Sequence, residues 1–195
     1  MSCRAADMEA TTARTEAPRG LYPGLLGASW VDLDPEIRRA HLAEGTATGR
    51  FTIHYGAGVA PRFLRRALGL PPAGSAHDTR LRITRDAQRE RWARTIGRWS
   101  LVTFQRALPD GRLAERIGIV ELRFRLHVAR GSLRYVPAGA AVTLSRWSVP
   151  LPPWLAPRVE ASEEPADGHG SRVHVRISLP LIGFFMAYDG QVEVA

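Results

Sequence analysis

From about residue 79 to the C-terminus, apolar and polar residues alternate with a period of two, and this restricts the fold more than any other feature of the chain. Leu81 and Ile83 alternate with Arg80 and Arg82. Leu122, Phe124, Leu126 and Val128 alternate with Glu121, Arg123, Arg125 and His127, and Val173, Val175, Ile177 and Leu179 form a further run. Successive side chains of a strand point to opposite faces, so each run buries one face and wets the other. Turn signals at Pro109-Asp110-Gly111, Arg130-Gly131-Ser132 and Pro137-Ala138-Gly139 separate the runs. Strands are predicted at 90–97 and 98–106 (one long bent strand or a hairpin), 112–117, 133–136 and 140–148, with the last from Phe184 to Val194. Residues 150–158 hold too much proline for a central strand, and Glu160 to Gly170 reads as an acidic loop. Roughly eight to ten short strands without βαβ alternation predict a mainly β fold, all-β to α+β. The expected architecture is a single curved antiparallel sheet, curled into a barrel or sandwich.

The N-terminal half adds two helices and a strand. Asp34 is placed as an N-cap, Pro35 at the first helical position and Glu36 in the first turn; Ile37, Ala40 and His41 share one face. Phe51, Ile53 and Tyr55 mark the strand. A second helix from Val59 to about Leu68 carries Val59, Phe63, Leu64, Ala67 and Leu68 on a side expected to cover the sheet. Arg62, Arg65 and Arg66 face outward, and Gly69 and Pro71-Pro72 end the helix. Leu21 to Leu33 reads as an irregular lead-in. Residues 1–20 read as a disordered arm, and 21–195 as one domain.

Composition excludes several function classes. An apolar fraction of 45% and a charged fraction of 24% are those of a soluble globular chain. No run approaches the roughly 20 apolar residues that span a bilayer, and the first residues lack a signal-sequence core. The net charge of +8 comes from 27 arginines with no lysine, a pattern of GC-rich coding rather than of a nucleic-acid surface. Cys3 is the only cysteine, which rules out an internal disulfide and a thiolate zinc site. There is no Gly-x-Gly-x-x-Gly, phosphate-binding loop or Gly-x-Ser-x-Gly, so neither cofactor nor metal is expected, and a cytoplasmic location is. His41 and Glu44, and the group Asp167, His169 and His174, fall short of metal-ligand sets.

Two ionisable residues break the strand pattern. Arg94 shares its face with Trp92 and Ile96, and Glu115 shares its face with Leu113 and Ile117. A lone charge in a low-dielectric interior costs several kcal/mol, so the two are expected to pair. The pair is either a structural salt bridge or the polar spot of a ligand cavity. Glu115 could serve as a general base, although the arginine beside it opposes that role. Tyr188, on the face of Phe184 and Met186, reads as a core aromatic.

The order of motifs resembles a bacterial domain-of-unknown-function family, number 4166. The resemblance runs from LYPGLLGASWVDLDPEIRRAHLAEG through GLPPAG, RWARTIGRWS, LAERIG, VPLPPWLAPRVEASEE and VRISLPLIG to YDGQV, covering all but the arm. It singles out Arg38, His41, Trp92, Arg94, Ser100, Glu115, Gly118, Pro157, Arg158, Glu163, Tyr188 and Gly190. The family usually carries an aromatic where Ile96 stands. Some relatives are joined to saccharopine-dehydrogenase-like or short-chain-dehydrogenase-like domains, which implies a possible oxidoreductase partner. The candidate polar cluster is therefore Arg94, Glu115, His41, Arg38, Tyr188, Arg158 and Glu163. The leading expectation is a non-enzymatic module holding a small apolar or amphipathic ligand, without nucleic acid and without a membrane span. The alternatives are an enzyme using Glu115 or His41 as acid–base with Arg94 on an anion, and a scaffold docking an oxidoreductase.

Overall fold

The computed structural model describes residues 20–42, 44–86 and 89–194, so Cys3 and nearly all of the expected arm lie outside the described residues. Eleven strands follow the alternation of the sequence. They are β1 (Gly45–Tyr55), β2 (Gly74–Arg85), β3 (Glu90–Ile96), β4 (Trp99–Ala107), β5 (Leu113–Ile117) and β6 (Val120–Ala129), then β7 (Ser132–Leu144), β8 (Trp147–Pro150), β9 (Arg158–Pro165), β10 (Ser171–Leu179) and β11 (Gly183–Val194). Every pairing between them is antiparallel, in the order β6-β5-β4-β3-β2-β1-β11-β10-β9-β7, and β7 returns to β6. The sheet thus closes on itself as a ten-stranded barrel, and β8 hangs outside on β7. Closure removes the free edges that a long open sheet would expose.

Helices sit at the two ends. α1 (Leu21–Leu26), a 3₁₀ turn (Gly27–Asp32) and α2 (Pro35–Leu42) stopper one mouth, and α3 (Val59–Ala67) lies at the other, between β1 and β2. Asp34 caps α2 as the sequence indicates: its Oδ1 accepts from the Glu36 amide at 2.8 Å, and its own amide donates to the Gly131 carbonyl at 2.9 Å. The guanidinium of Arg85 donates to the carbonyls of His41 and Leu42, which fixes the other end of α2 to the β2–β3 corner. Wholly buried Tyr22, Ile37, Leu113 and Leu133 form the dry core beneath this stopper.

Several sequence expectations change. The lead-in at Leu21–Leu33 is helical and plugs the barrel rather than running irregularly over it. Pro137-Ala138-Gly139 does not turn the chain. β7 continues through it with a bulge, Ala138 and Gly139 together standing opposite Arg123 of β6, which lets the strand carry a proline that has no N–H to give the ladder. The segment read as an acidic loop is mostly β9, whose Val159 and Glu163 point inward while Glu160 faces water. Of the two forms expected for 90–106, the hairpin is the one found, turning at Gly97-Arg98. α3 does not press its apolar side on the sheet: Pro61 is buried and Leu64 half-buried, but Val59, Phe63, Ala67 and Leu68 are exposed.

Candidate functional site

The stopper brings a polar network into the barrel. The Tyr22 hydroxyl lies 2.8 Å from Gln105 Oε1 and 3.1 Å from the Tyr135 hydroxyl, and Tyr135 donates to Glu163 Oε1 at 3.2 Å. His41 Nε2 sits 3.0 Å from Glu163 Oε2. A carboxylate can only accept, so Nε2 carries the proton it shares with Glu163, while Nδ1 is buried without a hydrogen-bond partner. Two hydroxyl protons cannot fill the three contacts made by Tyr22 and Tyr135. With the Gln105 amide turned so that its nitrogen donates to Tyr22, every bond is filled, and the donors all run toward Glu163. The ring of Tyr22 lies over His41 with centroids 3.8 Å apart, and Trp92 covers His41 at 5.6 Å.

Burial and charge act against each other here. Burial pushes the Glu163 carboxyl up, but the His41 charge and hydrogen bond, the Tyr135 hydroxyl and Arg94 outweigh it and hold the group below its ordinary value. Burial raises the phenols of Tyr22 and Tyr135 well above their ordinary range, and the negative field of Glu163 adds to it. Glu90 accepts from Arg85 at 2.8 Å and from the Trp92 indole at 3.1 Å, so the corner that carries α2 is also tied to Trp92.

One layer further from the stopper lie Arg94 and Glu115. Nη1 of Arg94 is 3.6 Å from Glu115 Oε1 and donates to Thr103 Oγ1 at 2.9 Å, and the guanidinium carbon sits 5.2 Å from the Trp92 ring centre. Both polar contacts use Nη1, so Nη2 and Nε have no hydrogen-bond partner among the described residues. Burial would lower the Arg94 pKa, but Glu115 and the neighbouring phenols raise it overall. Register puts Leu81 and Leu101 directly beside Arg94, facing the same way. These inward residues are not sealed: the side chains of Arg94 and Glu115 keep 19% and 15% of their surface. Leu81, Ile96, Ile117, Val120, Val175 and Ile177 are likewise only partly buried, so space large enough for water adjoins this half of the interior.

The candidate residues separate into three groups. Arg94, Glu115 and Tyr188 share the wetter half, with Tyr188 edge-on to Phe51 at 5.7 Å. His41 and Glu163 sit together beneath the stopper, and Arg38 of α2 has a buried Nε without a hydrogen-bond partner. Arg158 stands apart, exposed at the start of β9. Tyr22, Glu90, Thr103, Gln105 and Tyr135 belong to the network without having been singled out from the sequence. Strand parity could have found two of them, since Glu90 shares its face with Trp92 and Gln105 with Thr103. A groove of about 710 Å3 on the outer wall, lined by Arg50, Asp78, Arg80, Thr95 and Gln191, faces away from Arg94 and is open to solvent. No group of three or more potential metal ligands occurs among the described residues.

A closed ten-stranded antiparallel barrel with a helical stopper and a buried polar network is the class that this fold and site define. The chain belongs to the family described as domain of unknown function (DUF4166), which it matches over residues 33–192. The match begins at Leu33, so α1 and Tyr22 precede it. Among solved structures, the chain is similar to a protein of unknown function from the DUF3598 family of Nostoc punctiforme. The TM-score is 0.51 and the identity 12%, over 92% of this chain and 51% of that one. That likeness is one of fold alone, and the chain spans about half the length of that protein. Among proteins of curated function none matches.

Proposed function

We propose that the chain is a non-enzymatic binding barrel that takes a small apolar or amphipathic molecule into the half of its interior away from the stopper. The polar end of the ligand would lie toward Arg94 and Glu115. One observation carries this reading: inward-facing aliphatic side chains and an ion pair keep contact with water-sized space, while the layer beneath them is dry. Apolar walls around a few oriented polar groups are the usual composition of a small-molecule site. The free donors on Arg94 suit a carboxylate, carbonyl or hydroxyl on the ligand, and the aliphatic ring suits its hydrocarbon part. The acid–base alternative gains nothing from His41, whose Nε2 is committed to Glu163 and whose ring is covered by Tyr22.

Titration with a dansyl-labelled fatty acid tests the proposal. Saturable enhancement of dansyl emission is expected, lost when Leu101→Trp or Val175→Trp fills the space and weakened about tenfold by Arg94→Met, a change of roughly 1.4 kcal/mol. Native mass spectrometry of freshly purified protein should show a co-purifying small molecule. Probe binding that is absent, or indifferent to the two filling substitutions, counts against the reading.

A further inference from the structure

The two ends of the barrel differ in chemistry, and the difference concerns the outside of the molecule rather than its interior. With every strand antiparallel to its neighbours, one end carries the connections 56–73, 97–98, 118–119, 145–146, 151–157 and 180–182. The other carries the stopper and the remaining corners. Thirteen large hydrophobic residues are exposed among the described residues, and all but Val31, Leu42 and Val136 belong to the first end. They include Phe63 at 68% exposure, Trp147 at 67%, Trp154 at 70% and Leu181, which projects completely from the β10–β11 turn. Leu181 is held there at φ +64, a conformation few non-glycine residues adopt.

The charges also differ between the ends. The connections of this end, with β8, contain Arg62, Arg65, Arg66, Arg98 and Arg146 and no aspartate or glutamate. The opposite end is mixed, with Asp32, Asp34, Glu36, Glu44, Asp86, Asp110 and Asp167 alongside Arg38, Arg39, Arg89, Arg112 and Arg130. α3 combines the two features: Val59 and Phe63 lie on its solvent side with Arg62 and Arg66 flanking them, while Pro61 and Leu64 face the protein. At the β7–β8 tip the Arg146 guanidinium lies 5.7 Å from the centre of the exposed Trp147 ring. An apolar helix face bordered by arginine, with tryptophans at the same level, is the composition of surfaces that seat at the headgroup layer of a bilayer.

We infer that this end docks on an anionic phospholipid membrane, with Phe63, Trp147, Trp154 and Leu181 entering the interface and the arginines pairing with lipid phosphates. Two halves of the surface point to the same occupant: apolar side chains alone would suit any greasy partner, but connecting loops whose only charges are arginines, with Asp78 beside the 97–98 turn the nearest exposed acid, are complementary to a negatively charged sheet of lipid. The barrel does not cross the bilayer in this arrangement; it stands on it by one rim. The inference is independent of whether the interior holds a ligand.

Co-sedimentation of the full chain with vesicles decides it. Binding is expected to phosphatidylcholine vesicles containing phosphatidylglycerol and not to pure phosphatidylcholine, with a loss of about tenfold or more between low and physiological salt. Phe63→Glu with Leu181→Glu should abolish binding, and Arg62→Glu with Arg66→Glu should weaken it at least as much as added salt. All four sites are solvent-facing, so the variants should keep the parent Tm. Val31→Glu with Leu42→Glu, at the opposite end, should bind like the parent. Absence of binding to anionic vesicles, or binding untouched by the rim substitutions, overturns the inference. So does concentration-dependent dimerisation that Phe63→Glu abolishes in a chain that ignores vesicles, which would make the rim a contact between copies.

Discussion

His41 on α2 and Glu163 on β9, 122 positions apart in the chain, meet at 3.0 Å beneath the ring of Tyr22. That contact joins the stopper to the barrel wall chemically as well as sterically. Glu163 also takes the Tyr135 hydroxyl, so the carboxylate is where the network ends.

Breaking this contact from one side should cost more than losing a surface pair. His41→Ala leaves a buried carboxylate without its nearest donor and opens space under Tyr22, and a loss of about 3 kcal/mol is expected in urea unfolding. The pH dependence has a definite sign. The folded Glu163 carboxyl titrates below its ordinary 4.5, so its contribution is present above that value. The contribution disappears as pH falls toward the folded value, because the unfolded chain takes up the proton first. Glu163→Gln should therefore flatten the acid limb of the stability profile, and an acid limb as steep as the parent's would contradict this.

The alkaline limb depends on the phenols. Tyr22, Tyr135 and Tyr188 are raised by burial, and Tyr55, which donates to the Pro71 carbonyl at 2.8 Å, is pushed up to about 12. Groups raised on folding stabilise fully below the unfolded value and lose that contribution as pH rises through the folded one. Denaturant midpoints should therefore drop from about pH 9 to about pH 11, where unfolded tyrosines ionise. Tyr22→Phe removes one ionisable hydroxyl at a cost of about 1 kcal/mol at neutral pH and should make the alkaline decline shallower.

Arg94 and Glu115 form the pair on which the proposed ligand site rests. Either Arg94→Met or Glu115→Leu strands the other charge among aliphatic walls and should cost about 3 kcal/mol, while the double variant should lose clearly less than the sum. A double variant as stable as the parent but unable to bind the dansyl fatty acid would mean that the pair serves the ligand rather than the fold. Additive losses would show that the two side chains do not interact.

Much of this architecture was legible from parity. Arg94 and Glu115 stand out because strands show each side chain to one face only, and a charge between Trp92 and Ile96 has to point where they do. The stopper was hidden because Leu21–Leu33 has neither period: its helix turn and 3₁₀ turn are set by the cavity they fill, and Tyr22 is buried by strands far away in sequence. α3 misled for the complementary reason. An amphipathic pattern says that one side of a helix leaves water, but not what it leaves water for, and here the sheet takes only Pro61 and Leu64. Likewise the acidic stretch at 160–165 is polar enough for a loop, yet pairing with β10 and β7 makes it a barrel stave.

Gly190 is a test of the barrel's closure itself. It pairs with Phe51 of β1 on one side and Val173 of β10 on the other, and it is the point where the Phe51 ring leans across the β1–β11 seam toward Tyr188. A Cβ built there would stand 2.2 Å from the Arg50 carbonyl oxygen and 2.8 Å from the Phe51 ring. The ring could swing aside, but the carbonyl belongs to the ladder and cannot move without parting the strands. Gly190→Ala should therefore cost several kcal/mol or abolish folding, well beyond the usual cost or gain of about 1 kcal/mol when alanine replaces a strand glycine. Phe51→Ala with Gly190→Ala separates the two causes. Relief of the ring clash alone should recover little stability, because the backbone contact remains. Full recovery in the double variant would mean that the ring, and not the close approach of β1 to β11, requires glycine at this position.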